Sequence, residues 1–307
     1  MDSKSEIDYW QTRYNLPHIG HLSLEALEAR LDDLLMNFGR QIRNGKPVLL
    51  SPRGGTRFTL LLEQTMQEFK RRKVVIAGSK IFDIPHVVDE NSILLDEQLE
   101  AISQQYSGRI LVKYGKKEHV QDMLDRGSFL VSPASYYDDE SLNIAVKDNE
   151  LERKNLVSSH GVEINVLNGD GSKGESIQPI GPIEYRSIIE TNYYVWCGSD
   201  LLQSRLFTDF ECDACLVVTE PKIFIEKILD AVLSVRCGWA DGYQMISYYD
   251  PLEYPSKDVD PLGYKHFRYW YQSEHRLIWL PPENVDKLER IFVEVGPLHD
   301  LAEIVTV

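Results

Sequence analysis

The chain has 307 residues, of which 43% are hydrophobic and 26% are charged, and its formal net charge is −15. This composition is typical of a globular protein with one or two domains, and it excludes disordered and collagen-like chains. The strong negative charge repels a phosphate backbone at long range, so indiscriminate nucleic-acid binding is not expected.

The sequence also predicts where the protein works. No apolar run is long enough to cross a bilayer, and the N-terminal residues lack the apolar stretch of a signal peptide. Four cysteines are too few for a disulfide scaffold in a chain of this length, which favours a reducing compartment. We therefore expect a cytoplasmic protein that does not associate with a membrane.

The first hundred residues alternate between helical and extended patterns. Apolar residues at three- and four-residue spacing predict an amphipathic helix over 23–43, with Ser23 as its N-cap. The predicted elements that follow are a buried strand over 47–50, a helix to about Lys70, a strand over 74–78, a strand or turn over 93–95, and a helix over 97–106. The alternation predicts an N-terminal α/β module over 1–106 with a partly parallel sheet, of unknown role.

A domain boundary is expected near Ser107, and the rest of the chain is richer in strands. Helices are predicted over 117–126, ending at Gly127, and over 221–235. The predicted strands cover 109–114, 128–132, 193–197, 214–219, 243–249 and 267–280, and residues 168–182 are predicted to form a turn or a mobile loop. The expected class is therefore α+β, with a mixed, strand-rich second domain over 107–307.

Gln272 and Glu274 form the most informative pattern. On a strand, the period of two would place their side chains next to each other on one face. A carboxylate beside an amide can stabilise a developing positive charge while the amide orients a nucleophile. Cleavage of a glycosidic bond to a cationic leaving group such as nicotinamide needs this arrangement. An edge strand with polar residues that face water would explain the same pattern.

The Gln-x-Glu pattern, followed by an apolar run and Pro281-Pro282, resembles the last motif of the mono-ADP-ribosyltransferases, which transfer ADP-ribose from NAD. Residues 109–137 also follow that family's order of strand, helix and strand. The resemblance covers 107–307 and implies a domain with that family's fold. It implies that Glu274 is the catalytic acid and that Gln272 orients the substrate.

The resemblance also implies a set of residues that contact NAD, the substrate that donates ADP-ribose. These are Lys113, Tyr114 and Gly115 at the end of the first strand, and Ser132, Ser135, Tyr136 and Tyr137 at the end of the second. The family has an Arg or His on the first strand, whereas this chain offers either Lys113 or Arg109 for that role.

The partners implied by the resemblance are macromolecules. The acceptor of ADP-ribose would be a protein or a nucleic acid, and the acidic charge slightly favours a protein. Stand-alone enzymes of this kind resemble the toxins of bacterial toxin-antitoxin and anti-phage systems, which implies a neutralising antitoxin protein.

Two other functions fit parts of the sequence. The turn over 51–56 contains Arg53 and two glycines between a strand and a helix, which is suited to a phosphate- or nucleotide-binding enzyme. The sequence has 16 tyrosines, with clusters at 193–194, 248–249, 254 and 264–271, and these aromatic residues could form the surface of a non-enzymatic interaction protein. No metal is expected, because Cys212 and Cys215 lack a second pair of ligands nearby.

Overall fold

The computed structural model describes residues 19–43, 46–50, 56–76, 84, 86–106, 109–159, 163–252 and 259–307. The helices in these ranges are α1 (Leu24–Leu35), α2 (Thr56–Arg71), α3 (Glu90–Gln105), α4 (Lys117–Arg126), α5 (Ser204–Asp209) and α6 (Pro221–Val235), with 3-10 helices at Ala134–Asp138 and Phe267–Gln272. The strands are β1 (Gly39–Arg43), β2 (Lys46–Leu50), β3 (Leu111–Gly115), β4 (Ser128–Pro133), β5 (Glu152–Val157), β6 (Ile164–Leu167), β7 (Lys173–Ile177), β8 (Ile183–Ile188), β9 (Tyr194–Ser199), β10 (Ala214–Val218), β11 (Ala240–Met245), β12 (Ser247–Tyr249), β13 (Tyr264–His266), β14 (Glu274–Leu280), β15 (Ile291–Glu294) and β16 (Ala302–Thr306).

The main sheet contains eight strands and is antiparallel throughout. Six of them lie in the order β11-β14-β9-β3-β10-β16, and β4 joins β9 to β15. A large antiparallel sheet combined with helices that pack on it defines the α+β class, as the sequence predicts.

Apolar side chains cover both faces of the main sheet. On β10, Leu216 packs with α4 and α6 on one face, whereas Val217 packs with α3 and α5 on the other. All five residues of β10 are buried, which explains why the strand is an uninterrupted apolar run in the sequence.

The predicted helices over 117–126 and 221–235 are confirmed with the same bounds. In each helix, a characteristic residue in the sequence marks one end. Gly127 caps α4 in a left-handed conformation with φ of 67°, and its N–H donates to the carbonyl of Met123. Pro221 is the first residue of α6, where its missing N–H is not needed.

Replacing Gly127 with Ala should destabilise the protein more than the matched change at Gly238. Both glycines have positive φ, so an alanine at either position carries a left-handed strain of roughly 1–2 kcal/mol. A Cβ at Gly127 would lie 2.1 Å from the Gly296 carbonyl oxygen, whereas a Cβ at Gly238 meets nothing within 4 Å. Urea denaturation measures the difference, and equal losses would contradict a close approach of α4 to residue 296.

The first predicted helix is shorter than expected. It ends at Leu35 because residues 39–43 form β1, which pairs antiparallel with a half-buried β2. In place of the expected partly parallel sheet, the described residues of this region form an antiparallel pair and a parallel bridge between Arg40 and Val87. Residues 74–76 are not a strand, and 77–78 lie outside the described residues.

Two other predicted segments also differ from the structure. Residues 93–95 belong to α3 rather than to a strand, because Asp89 and Ser92 form a capping box that starts the helix earlier. Residues 168–182 contain β7, which pairs with β6 across a tight turn at Gly171. β5 and β8, which flank β6 and β7 in sequence, also pair antiparallel. We call these four strands and the described residues between them the hairpin arm.

The N-terminal helices pack against the C-terminal half of the chain. The Arg30 guanidinium forms two hydrogen bonds of 2.8 Å with the Asp250 carboxylate, and both side chains are buried. Asn37 donates to the carbonyl of Phe267, and Phe58 packs against the Phe267 ring. The predicted boundary at residues 107–108 lies outside the described residues and stays a prediction.

Candidate functional site

A cavity of about 230 Å³ opens beside β9, where this central strand changes partners. Tyr194 and Val195 pair with β4, whereas Ser199 pairs with β3. Cys197 lies between these two pairings, and its carbonyl accepts a hydrogen bond of 2.7 Å from Lys113 Nζ. The divergence of β3 from β9 therefore creates the space that the cavity occupies.

Five of the residues predicted from the sequence line this cavity together. They are Lys113, Tyr114, Tyr137, Gln272 and Glu274. They come from β3, from the 3-10 helix after β4, and from the region around the start of β14, so the fold joins segments that are far apart in sequence.

Gln272 and Glu274 do not share a strand, which corrects the prediction of one strand over 267–280. Residues 267–272 form a 3-10 helix, and Ser273 follows with φ of 42° before β14 begins at Glu274. The turn at Ser273, rather than strand periodicity, brings both side chains to the cavity. Gln272 Nε2 donates to the Ala145 carbonyl at 2.7 Å, which fixes the orientation of the amide.

The two predicted serines do not line the cavity. Ser132 is buried at the end of β4, where its hydroxyl hydrogen-bonds the Tyr137 phenol and thus supports a residue that does line it. Ser135 is exposed and accepts a hydrogen bond of 2.7 Å from Asn192. Because β4 ends at Pro133 and a 3-10 helix follows, Ser135 turns away from the cavity.

Gly115 and Tyr136 also lie outside the cavity. Gly115 ends β3 beneath α4, where a Cβ would lie 3.2 Å from Val120 Cγ2. Tyr136 is half-buried, and the Arg290 guanidinium lies 4.9 Å from the centre of its ring. In the 3-10 helix over 134–138, the side chains of consecutive residues point in different directions, so Tyr137 reaches the cavity and Tyr136 does not.

Two buried cations hold the Glu274 carboxylate. Lys265 Nζ lies 2.6 Å from Oε2, and Arg276 Nε lies 2.5 Å from Oε1. Burial by itself would raise the pKa of this carboxyl, but the charges of Arg276 and Lys265 outweigh it and hold the pKa well below its ordinary value. Glu274 is therefore ionised at neutral pH in a site that is almost closed to water.

The same network extends to a second carboxylate in the cavity wall. Arg276 is fully buried, and its two terminal nitrogens lie 2.6 and 2.7 Å from the oxygens of Glu150. Arg153 contacts Glu150 at 2.9 Å from the other side. Sequence reasoning missed Glu150 and Lys265, but Arg276 within an apolar strand is a signal that a buried carboxylate lies nearby.

Lys113 has no carboxylate within ion-pair distance among the described residues. Its Nζ lies 4.8 Å from the centre of the Trp196 ring, besides its hydrogen bond to Cys197. Burial lowers the pKa of the ammonium, although the charge of Glu274 opposes this effect. Arg109 is exposed and precedes β3, so Lys113 is the member of the predicted pair that lines the cavity.

A second cavity of about 600 Å³ lies on another side of Glu274. Residues from the N-terminal half, including Asn37 and His86, form one wall, and Asp200, Tyr248 and His275 form part of the other. Glu274 lines both cavities, so this carboxylate lies at the point where they approach each other.

Comparison with known proteins gives no relative: no family model, no curated protein and no solved structure matches the chain. Within the described ranges, none of the helices is long and apolar enough to cross a membrane. The same part of the chain contains no group of three or more His, Cys, Asp or Glu side chains that could hold a metal ion. Arg53 and its turn lie outside the described residues.

Proposed function

We propose that this protein is an ADP-ribosyltransferase that transfers ADP-ribose from NAD to an intracellular macromolecule. One observation carries the proposal: Lys113, Tyr114, Tyr137, Gln272 and Glu274, selected from the sequence by their order along the chain, line one cavity. Chance matches to short motifs have no reason to converge in space. The agreement between motif order and location therefore supports the family resemblance.

The electrostatics of the cavity fit the chemistry of this reaction. The bond between nicotinamide and ribose breaks as positive charge develops on the sugar, and a fixed, ionised carboxylate stabilises that charge. Glu274 is held in this state by Lys265 and Arg276. Tyr114 and Tyr137 give the cavity aromatic surface for a planar ring.

The size of the cavity limits which part of NAD it holds. Pockets that enclose a drug-sized ligand usually have about 300–1,000 Å³, and this cavity has about 230 Å³. The nicotinamide end of NAD would enter it, and the rest of the dinucleotide would lie outside. The larger cavity beyond Glu274 offers a place for the acceptor.

The remaining features of the proposal concern partners and location. The net charge of −15 favours a protein acceptor over a nucleic acid, since it repels phosphates. The four cysteines are free thiols, as expected for a cytoplasmic protein. If the protein acts as a toxin or an anti-phage effector, a neutralising antitoxin protein would accompany it.

Replacing Lys113 with Ala should weaken NAD binding by roughly tenfold or more, because a hydrogen bond to a charged group contributes about 1.5–3 kcal/mol. Lys113→Arg should preserve or strengthen binding, since a guanidinium presents its donors in a planar fork that can contact two oxygens at once. Arg109→Ala is the matched control, because Arg109 is exposed and precedes β3. Calorimetric titration with NAD measures all three variants.

The Arg109→Ala control also shows which of the two basic residues, Lys113 or Arg109, contacts NAD. If Arg109→Ala abolished binding and Lys113→Ala left it unchanged, the assignment of Lys113 would be wrong. If the unmodified protein did not bind NAD at millimolar concentration, the transferase proposal itself would fail.

Incubation of the protein with labelled NAD and a cell lysate tests the function as a whole. We expect transfer of the label to macromolecules, and we expect this transfer to depend on Glu274. Transfer that depends on Arg53 instead would favour a phosphate-binding enzyme centred on that loop.

One observation favours a second candidate function, a non-enzymatic interaction protein. The hairpin arm exposes several large apolar side chains, among them Leu167, Ile180 and Ile188. Exposed apolar patches are a common feature of protein-binding surfaces. Under this alternative the lysate would contain no labelled product, and NAD would not bind.

A further inference from the structure

A tyrosine on the edge strand of the main sheet is hydrogen-bonded to a histidine. Tyr243 lies on β11, which has a single neighbour in the sheet, and the residue is 44% exposed. Its hydroxyl lies 2.6 Å from Nδ1 of His275, which is itself buried. The side chain of Tyr243 is therefore partly open to solvent while its hydroxyl contacts a base.

The histidine is held from its other side by a carboxylate. His275 Nε2 lies 3.4 Å from Oδ2 of Asp200. A proton on Nε2 satisfies this contact, so Nδ1 has a free lone pair and accepts the hydrogen bond from Tyr243. Nucleophile, base and orienting carboxylate thus follow each other in the order that activates hydroxyl nucleophiles in enzymes.

We propose that Asp200, His275 and Tyr243 form a relay that makes Tyr243 an acceptor of ADP-ribose on this protein, a modification that rests on the transferase function proposed above. The phenolic oxygen forms a bond to C1 of the ribose that carries nicotinamide. The bond between that carbon and the nicotinamide nitrogen breaks, and nicotinamide leaves as a neutral molecule with the bonding electrons. The phenolic proton passes to His275 Nδ1 and then to water.

The resting state of the relay fits this mechanism. Burial, together with the charge of Asp200, raises the pKa of the Tyr243 phenol, so the hydroxyl is protonated at neutral pH. A protonated phenol is a weak nucleophile and needs a base at the moment of attack. His275 is in hydrogen-bond contact with that proton, and the Asp200 carboxylate stabilises the imidazolium that forms.

The geometry points to a transfer between two molecules. Glu274 and His275 are consecutive residues of β14, and both line the larger cavity. Tyr243, by contrast, lines neither this cavity nor the one at Lys113, although its hydrogen-bond partner His275 lines the larger one. The phenol of one copy would therefore react with NAD bound in the cavity of another copy.

A mixing experiment separates the enzyme from the acceptor. Unmodified protein acts as the enzyme, and a tagged Glu274→Gln variant of different mass acts as the acceptor, with NAD as the substrate. Mass spectrometry of peptides should find ADP-ribose on Tyr243 of the tagged chain. Adding Tyr243→Phe to the tagged chain should abolish the modification, and adding His275→Gln should lower its rate by roughly 100-fold or more.

Tyr185→Phe in the tagged chain is the matched control, because Tyr185 is 37% exposed and should not affect labelling. Circular dichroism identifies any variant that fails to fold.

Each outcome of the mixing experiment has a definite meaning. Release of nicotinamide from NAD without ADP-ribose on Tyr243 would overturn the relay and leave the transferase function standing. Labelling of Tyr243 at the same rate in the His275→Gln chain would also overturn the relay. No release of nicotinamide by the unmodified protein would overturn the transferase function, and the acceptor role with it.

Discussion

Replacing Glu274 with Gln should lower NAD-dependent transfer by roughly 100-fold or more. The substitution keeps the shape of the side chain but removes the negative charge that would stabilise the sugar cation in the proposed reaction, and the loss of one such electrostatic contribution has an effect of this size. Transfer of label from NAD at saturating substrate concentration measures the change. A variant with full activity would remove Glu274 from the mechanism.

The same substitution should also lower stability, because Glu274 is buried and paired with Lys265 and Arg276. Removing one member of a buried ion pair costs about 3–5 kcal/mol. Asp250→Asn is a suitable control, since it weakens another buried ion pair, with Arg30, away from the cavity. At temperatures where both variants are folded, only Glu274→Gln should lose activity.

Replacing Arg276 with Met should have the largest effect on stability. Arg276 is the shared partner of Glu150 and Glu274, and all three side chains are buried. The variant leaves two carboxylates without that partner in a site of low polarity, so we expect a loss of about 3–5 kcal/mol or more in the free energy of unfolding. Urea denaturation monitored by tryptophan fluorescence measures this loss.

Arg126→Met is the matched control for this experiment. Arg126 pairs with Asp122 on the surface of α4, where the side chains are 62% and 38% exposed. Exposed pairs contribute little because water screens them, so the urea midpoint of this variant should hardly change. Equal midpoints for Arg126→Met and Arg276→Met would mean that the buried network does not stabilise the fold.

Much of the C-terminal half of the fold could be predicted from the sequence because local signals define it. A glycine ends α4, a proline begins α6, and the buried β10 is an uninterrupted apolar run. The N-terminal half was predicted less well. The helical spacing of its apolar residues continues past Leu35 into residues 39–43, which pair as a strand. Spacing alone does not show whether such apolar residues belong to a helix or to a strand.

The candidate site could be predicted only where its residues belong to short motifs. Lys113, Gln272 and Glu274 were found in this way, and they line one cavity. The left-handed turn at Ser273 could not be foreseen, because serine gives no special signal for positive φ. Glu150 was missed because its partner Arg276 is far away in sequence, and one sequence alone carries no information on which charges meet in space.

The 3-10 helix that ends at Gln272 is contacted by residues of the N-terminal half, which lie outside the main sheet. Asn37 accepts a hydrogen bond from the Tyr271 N–H and donates to the Phe267 carbonyl, and Phe58 packs against Phe267 and Trp270. A fragment that begins at residue 107 would keep the main sheet and Glu274 but lose this support. The N-terminal half therefore holds part of the candidate site in place, and substitutions in its core can change the position of Gln272 without any direct contact with the cavity.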